Sequence, residues 1–161
     1  MVDSPAVTSA VDGLLATIVE KLTLGFGDRL AGVALFGSRA RGEGTADSDV
    51  DLLVLASGLP RLWDRDAALR EVLPERPLLP ELSFLLRTPE EFERDVRPLY
   101  LDLALDARVL FDRDGYLSGR LARLRELVRL ARLRRRPDLF WEWEEPPTRP
   151  DWAITWEGVT R

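Results

Sequence analysis

A chain of 161 residues, 45% hydrophobic and 32% charged, has the size and composition of one folded unit and not of a disordered or fibrous protein. It contains no cysteine and no histidine, which excludes disulfide scaffolds, thiolate or imidazole metal sites, cysteine nucleophiles and a Ser-His-Asp triad. Without those side chains, chemistry must be built from carboxylates, hydroxyls, arginines, backbone amides or a hard metal ion, and a net charge of −5 argues against a general nucleic-acid binder.

In chain order, Met1 to Ala10 carries Asp3 and no basic leader, and no apolar run approaches the ~18 residues that span a bilayer. The expected location is therefore the cytoplasm, with no membrane partner. Val11, Leu14, Leu15, Ile18, Val19 and Leu22 recur at spacings of three and four and predict a helix over 8–24, stopped by Gly25 and Gly27. Gly32 to Phe36 reads as a short buried strand and 49–55 as a second, polar at its start and apolar at its end. A turn at 57–60 leads to a predicted helix over 61–73, with Leu62, Leu69, Val72 and Leu73 on its apolar side. Pro74, Pro77 and Pro80 then interrupt the chain before a third strand at 81–86.

Thr88-Pro89-Glu90-Glu91 has the form of a capped helix start. A helix near 99–105, a strand near 108–111 and a turn at 112–115 follow, and 116–135 holds the longest helical pattern. Leu117, Leu121, Leu124, Val128 and Ala131 make its packing stripe, with Arg125, Arg129, Arg132 and Arg136 expected on another face. Segment 113–136 carries nine arginines against Asp114 and Glu126. That face reads either as a solvated helix with a favourable C-terminal charge or as a docking surface for an acidic partner or RNA. Residues 137–161 hold four of the five tryptophans and read as a hairpin or arm packed over the core. There Trp141 and Trp143 alternate as strand residues do, and Trp63 is a candidate partner for one of them.

The chemistry concentrates between Gly37 and Asp51. Asp49 and Asp51 stand two apart on a strand, so both carboxylates face one side. Like charges so placed need a cation or a shared proton. Mg²⁺ suits them, because it takes oxygen ligands and is held by one or two carboxylates plus substrate phosphates. Gly37-Ser38 opens a tight turn directly after a strand, where backbone amides and the Ser38 hydroxyl can hold phosphate oxygens, with Arg39 and Arg41 adding positive charge. Phosphate donors beside paired carboxylates suit metal-assisted nucleotidyl transfer, in which one metal clamps a triphosphate and another lowers the pKa of the attacking hydroxyl. Solvated acids at a strand start would be the plain reading of an isolated Asp-x-Asp; the Gly-Ser pair and the spacing outweigh it.

The run Gly37-Ser38-Arg39-Ala40-Arg41-Gly42 followed by Ser48-Asp49-Val50-Asp51-Leu52-Leu53-Val54 resembles the signature of the minimal nucleotidyltransferases of the DNA polymerase β-like superfamily. The resemblance is motif-specific over about residues 30–56, with the signature at 32–55, and looser from Thr88 to Trp141. It implies an α/β (α+β) fold with helices on a mixed sheet, here a single domain over 1–161 whose C-terminal helix and Trp-rich arm cover 114–161. It also implies Gly37, Ser38, Arg39, Arg41 and Ser48 at the nucleotide, and Asp49 and Asp51 on Mg²⁺. A third carboxylate on a later strand serves such enzymes as metal ligand and base. Glu81 is the candidate; if the place falls to Ser83 instead, that carboxylate is missing.

The expected function is thus Mg²⁺-dependent transfer of a nucleoside monophosphate, AMP from ATP, to a hydroxyl with release of pyrophosphate. The resemblance implies either a protein acceptor, as with HEPN toxins, or a homodimer that builds an acceptor pocket for a small molecule. The competing reading is an antitoxin-like binding module that keeps the fold, has lost catalysis and masks its partner.

Overall fold

The computed structural model describes residues 5–74, 81–146, 148 and 153–160 (for 5–9 the backbone alone). The breaks expected at Pro77 and Pro80, and Trp152 of the arm, lie outside these residues. Helix α1 (Pro5–Phe26) is longer than its apolar pattern; it passes Gly25 and stops where Gly27 takes φ +55°. Strand β1 (Leu30–Phe36) runs into the one-turn helix α2 (Gly37–Ala40), and β2 (Val50–Ala56) follows a polar loop. Then come α3 (Arg65–Val72), β3 (Leu82–Arg87), α4 (Pro89–Arg94), α5 (Pro98–Asp106), β4 (Arg108–Asp112) and α6 (Tyr116–Ala131). The short strands β5 (Leu133–Arg135), β6 (Trp141–Trp143), β7 (Ala153–Ile154) and β8 (Val159–Thr160) complete the described chain.

The first four strands form a mixed sheet in the order β3-β2-β1-β4. β1 is antiparallel to β2 and β4, whereas β2 and β3 are parallel. The central strands are apolar nearly throughout because both faces are covered. Alternation divides them. Val33, Leu35, Val50, Leu52 and Val54 pack with Leu15, Ile18, Leu22 and Phe26 of α1 and Leu69 of α3. Ala34, Leu53 and Leu55 pack with Phe92, Tyr100, Leu103, Leu117, Leu121 and Leu124 from α4, α5 and α6.

The predicted helix over 61–73 starts late. Leu62–Asp64 is a 3₁₀ turn, and Trp63 stays 75% exposed beneath the Arg61 guanidinium, 5.7 Å from its ring centre, instead of joining the core. Arg65 fixes where α3 begins. It is only 6% exposed, donates to both Glu91 carboxylate oxygens at 2.7 Å, and reaches the Leu86 and Pro60 carbonyls at 3.0 Å. A buried guanidinium is tolerated because its donors are met. The Thr88 capping box forms as expected, with Glu91 N–H donating to Thr88 Oγ1 at 3.2 Å and Thr88 N–H to Glu91 Oε2 at 3.1 Å. Asp112 accepts from the Leu117 and Ser118 amides at 2.8 and 3.0 Å and so caps α6 from beyond the intervening turn.

The helix predicted to reach 135 ends at Ala131. Arg132 adopts φ +51°, and Leu133–Arg135 pairs as a strand with Trp141–Trp143. Strand pairing and packing of Leu133 and Trp141 on the α5/α6 core override the local helical pattern. The expected arginine face is therefore split: Arg125 and Arg129 stay on α6, where Arg125 donates to the Ala104 carbonyl at 2.8 Å, whereas Arg132 and Arg136 lie beyond its last turn and pair with Glu145 and, at 3.0 Å, with Asp138. The alternation expected at Trp141 and Trp143 is present in β6.

Candidate functional site

The sheet brings the singled-out residues to one corner, where β1 ends and β2 and β3 begin. Phe36 lies opposite Asp51 across the antiparallel pair, and Asp51 lies beside Ser83 across the parallel one. Asp51 shares a face with Leu53 and Leu55, so its carboxylate stands on the side of the sheet that carries α4, α5 and α6. Asp49, just before β2, is exposed; Asp51 is half-buried. Burial raises the Asp51 pKa above the usual carboxylate range; the Ser83 hydroxyl, donating a hydrogen bond, and the Arg41 charge pull it down, while the Asp49 charge pushes it up.

Gly37 is held at φ +74°, and a Cβ there would overlap Asp51 Oδ2. Absence of a side chain thus lets the loop lie directly against the carboxylate. The first amides of α2, beginning with those of Gly37 and Ser38, have no carbonyl one turn back within the helix.

Arg39 turns away from open solvent into its own loop. Its Nε and Nη2 donate to the Ser48 carbonyl at 2.9 and 2.7 Å, and Nη2 also to the Ala46 carbonyl at 3.3 Å. Ser48 Oγ accepts from the Thr45 amide at 2.9 Å. Both residues shape the segment that delivers Asp49 and Asp51. Arg41 stays at the corner, with Nε 2.7 Å from Glu43 and Nη1 3.9 Å from Asp106.

Glu81 precedes β3 and is exposed; its carbonyl accepts from the Val50 amide at 2.8 Å. Ser83, not Glu81, holds the place beside Asp51. Among the described residues no group of three or more carboxylates is gathered closely enough to hold a metal ion. The paired aspartates still fit a hard cation. They offer oxygen donors on one side of the sheet, and the mutual repulsion acting on Asp51 is what a bound cation relieves.

Asp106 and Arg135 belong to the same corner without any motif to announce them. Arg135 makes a two-pronged pair with Asp106, reaches Asp102 at 3.3 Å, and Asp102 accepts from the Trp141 indole at 3.1 Å. A groove of about 650 Å³ lined by Leu24, Phe26, Leu59 and Val72 lies on the opposite sheet face and contains none of these residues. Among the described residues no helix is long and apolar enough to cross a membrane.

Comparison with solved structures finds a Sulfolobus solfataricus protein provisionally described as a nucleotidyltransferase, with a TM-score of 0.49 and 23% identity over 69% of this chain and 91% of that one. A chain of a toxin-antitoxin complex with AMP-PNP gives 0.47 and 18%, covering 72% of this chain and 88% of that one. A chain of the complex between the tri-AMPylated Shewanella oneidensis HEPN toxin and its MNT antitoxin gives 0.47 and 15%, covering 73% and 86%. In sequence, a Methanocaldococcus jannaschii protein, provisionally named a protein adenylyltransferase, is 32% identical over 124 residues, 74% of this chain and 84% of the relative. The profile of the nucleotidyltransferase domain matches residues 15–114, from α1 to the turn before α6. The chain belongs to the nucleotidyltransferase-domain family and is a nucleotidyltransferase.

Proposed function

We infer that the chain transfers AMP from ATP to a hydroxyl group of a protein. The observation that carries this reading is the packing of Gly37 against Asp51, which sets the amide-rich turn beside the paired carboxylates. The sequence relationship to a protein provisionally named a protein adenylyltransferase supports the choice of AMP and of a protein acceptor. The resemblance drawn from Gly37–Val54 makes a HEPN-type toxin the first acceptor to test.

Each residue has a task in this reading. The Gly37 and Ser38 amides and the Ser38 hydroxyl bind phosphate oxygens. Arg41 adds a positive charge to the same group. Arg39 and Ser48 act through the backbone, keeping the 41–49 loop in the shape that presents the aspartates. Asp49 and Asp51 would hold Mg²⁺, with the Ser83 hydroxyl bonded to Asp51 to orient it. Bound there, the ion would supply charge neutralisation of the triphosphate and a lower pKa for the acceptor hydroxyl. The acceptor oxygen attacks the α-phosphorus, its bond to the pyrophosphate oxygen breaks, and pyrophosphate leaves. Ser83 leaves no carboxylate beside Asp51, so in this reading the acceptor proton goes to the exposed Glu81 just ahead of β3.

Ser83 in the place beside Asp51 is the one observation that favours the alternative, a binding module with catalysis lost. The test separates the two. Titration of the full chain with MgATP, followed calorimetrically, should give binding that disappears in Asp49→Asn/Asp51→Asn. Transfer of label from α-³²P-ATP to a co-purified partner should depend on the same residues and on Glu81. Nucleotide binding without transfer to any partner would favour the masking module; no nucleotide binding would overturn the proposed reaction.

A further inference from the structure

Besides its longer-range attraction to Asp51, Arg41 has two carboxylate ion-pair partners of different character. Glu43, two residues along the loop, is 60% exposed and contacts Nε at 2.7 Å. Asp106, at the C-terminal end of α5, is 13% exposed and stands 3.9 Å from Nη1. An exposed pair is screened and exchanges easily with solvent or another anion. A buried carboxylate holds its partner in place only when its own lone pairs are satisfied.

Asp106 is satisfied from behind. Arg135 of the β5–β6 hairpin takes both its oxygens, Asp102 shares Arg135, and the Trp141 indole closes the chain. The Arg135 side chain is 17% exposed, so this group is largely shielded from water. The contact from Asp106 to Arg41 therefore ties the signature loop to a hairpin beyond the matched family domain.

We propose that Asp106, backed by Arg135, is a positioning residue that holds Arg41 toward the nucleotide phosphates, while Glu43 is the resting partner that the phosphates displace. The proposal rests on the nucleotide site inferred above. It assigns the hairpin Leu133–Trp143 a part in substrate binding, although none of its residues needs to touch substrate.

The two carboxylates then have opposite effects, and this separates positioning from general electrostatics. Removing any negative charge near a site for a polyanion should strengthen binding if only long-range charge matters. Positioning predicts instead that Asp106→Asn weakens MgATP binding, by about three- to tenfold for one misaligned charge-assisted contact. Glu43→Gln should leave binding as tight or tighten it by about twofold, as expected for loss of an exposed competing pair. Transfer assays should show the Asp106→Asn effect in KM for MgATP with kcat little changed.

The experiment is calorimetric titration of MgATP into the full chain, its Asp106→Asn and Glu43→Gln variants, and Asp49→Asn/Asp51→Asn, with thermal melts to confirm folding. Weaker binding in Asp106→Asn together with equal or tighter binding in Glu43→Gln supports the proposal. Asp106→Asn binding as tightly as the parent or more so, with the double aspartate variant inactive, overturns this inference alone. Weaker binding in Glu43→Gln overturns it as well, and that arm stands on an exposed loop where folding is not at risk. Absence of MgATP binding in the parent chain overturns both this inference and the reading beneath it.

Discussion

The signature loop and the C-terminal hairpin meet at one corner of the molecule but are organised over different distances along the chain. The loop closes on itself: Arg39 bonds to carbonyls seven and nine residues ahead, and Thr45 and Ser48 bond to each other. The hairpin is placed by residues far away, with Arg135 on Asp106 and Trp141 on Asp102, 29 and 39 positions distant. Self-contained segments carry their instructions in adjacent residues, so the loop can be read as a motif. A segment placed by distant partners cannot be read that way until the fold is known. The same contrast explains the charge pattern. Among the described residues, seven of the nine arginines in 113–136 are in ion pairs, so what reads as a basic face in sequence is a set of ties.

The largest effect expected from breaking the local side is Gly37→Ala. The substitution adds a methyl group that overlaps Asp51 Oδ2 and puts an alanine at φ +74°. The left-handed conformation costs about 1–2 kcal/mol, which leaves the chain folded. Displacement of the turn from the carboxylates should lower AMP transfer about a hundredfold, the scale of a ~1 Å misplacement at a reacting centre. Initial rates measured beside a thermal melt check this. An alanine variant with parental rate would show that the loop does not need its contact with Asp51.

Glu91 takes part in both kinds of organisation and sharpens the comparison. Its bond to the Thr88 amide is local, and its pair with Arg65 spans 26 positions. The Arg65 hydrogen bonds are the main reason its pKa falls from an ordinary 4.5 to about 2, against a smaller opposing effect of burial. Because the folded-state value lies below the unfolded one, the stabilisation is complete above about pH 5 and is lost as pH falls through 4.5 towards 2. The full contribution is about 3 kcal/mol. Urea unfolding at successive pH values should show a decline in this window that Glu91→Gln flattens. An unchanged slope in that variant would show that the ionised pair with Arg65 adds nothing to stability, leaving Arg65 held by the Leu86 and Pro60 carbonyls.

The sequence conveys the fold class, the strand–turn–strand of the signature and the apolar stripe of α6, because period-2 and period-3.6 patterns report burial directly. It does not convey the end of α6. Nothing in Leu-Arg-Arg-Arg separates a last helical turn from a strand; only the facing residues Trp141–Trp143 decide. It brings Asp49 and Asp51 together, yet leaves open whether Glu81 or Ser83 stands beside Asp51, because that turns on a one-strand register. Asp106 leaves no trace, since its meaning depends on Arg41 and Arg135, which are distant in sequence.

The two helix caps make a smaller, matched test. Thr88→Ala removes a cap visible as Thr-Pro-Glu-Glu, and Asp112→Ala removes one that reaches over a turn to two amides. Each should cost about 1 kcal/mol, the ordinary value of an N-cap oxygen. Equal losses in urea melts would show that a cap hidden from the sequence is worth as much as a legible one. A loss at Asp112 near zero would mean that water replaces the carboxylate at the start of α6.

The smallest effect is expected at Arg134, which pairs with Glu142 across β5 and β6 while remaining 66% exposed. Arg134→Ala should change stability by no more than about 0.5 kcal/mol, because a solvated pair gains little and loses side-chain freedom. The hairpin has other anchors: Leu133 and Trp141 pack on the α5/α6 core, and Arg135 grips α5. A double-mutant cycle with Glu142→Ala at low and high salt measures the pair alone. Coupling near zero, indifferent to salt, places the hairpin's hold in its inward side chains, where the tie to Asp106 lies. Coupling above about 1 kcal/mol would mean that surface charges set the β5–β6 register. In that case disrupting them would slide Arg135 away from Asp106 and weaken nucleotide binding from the far side of the hairpin.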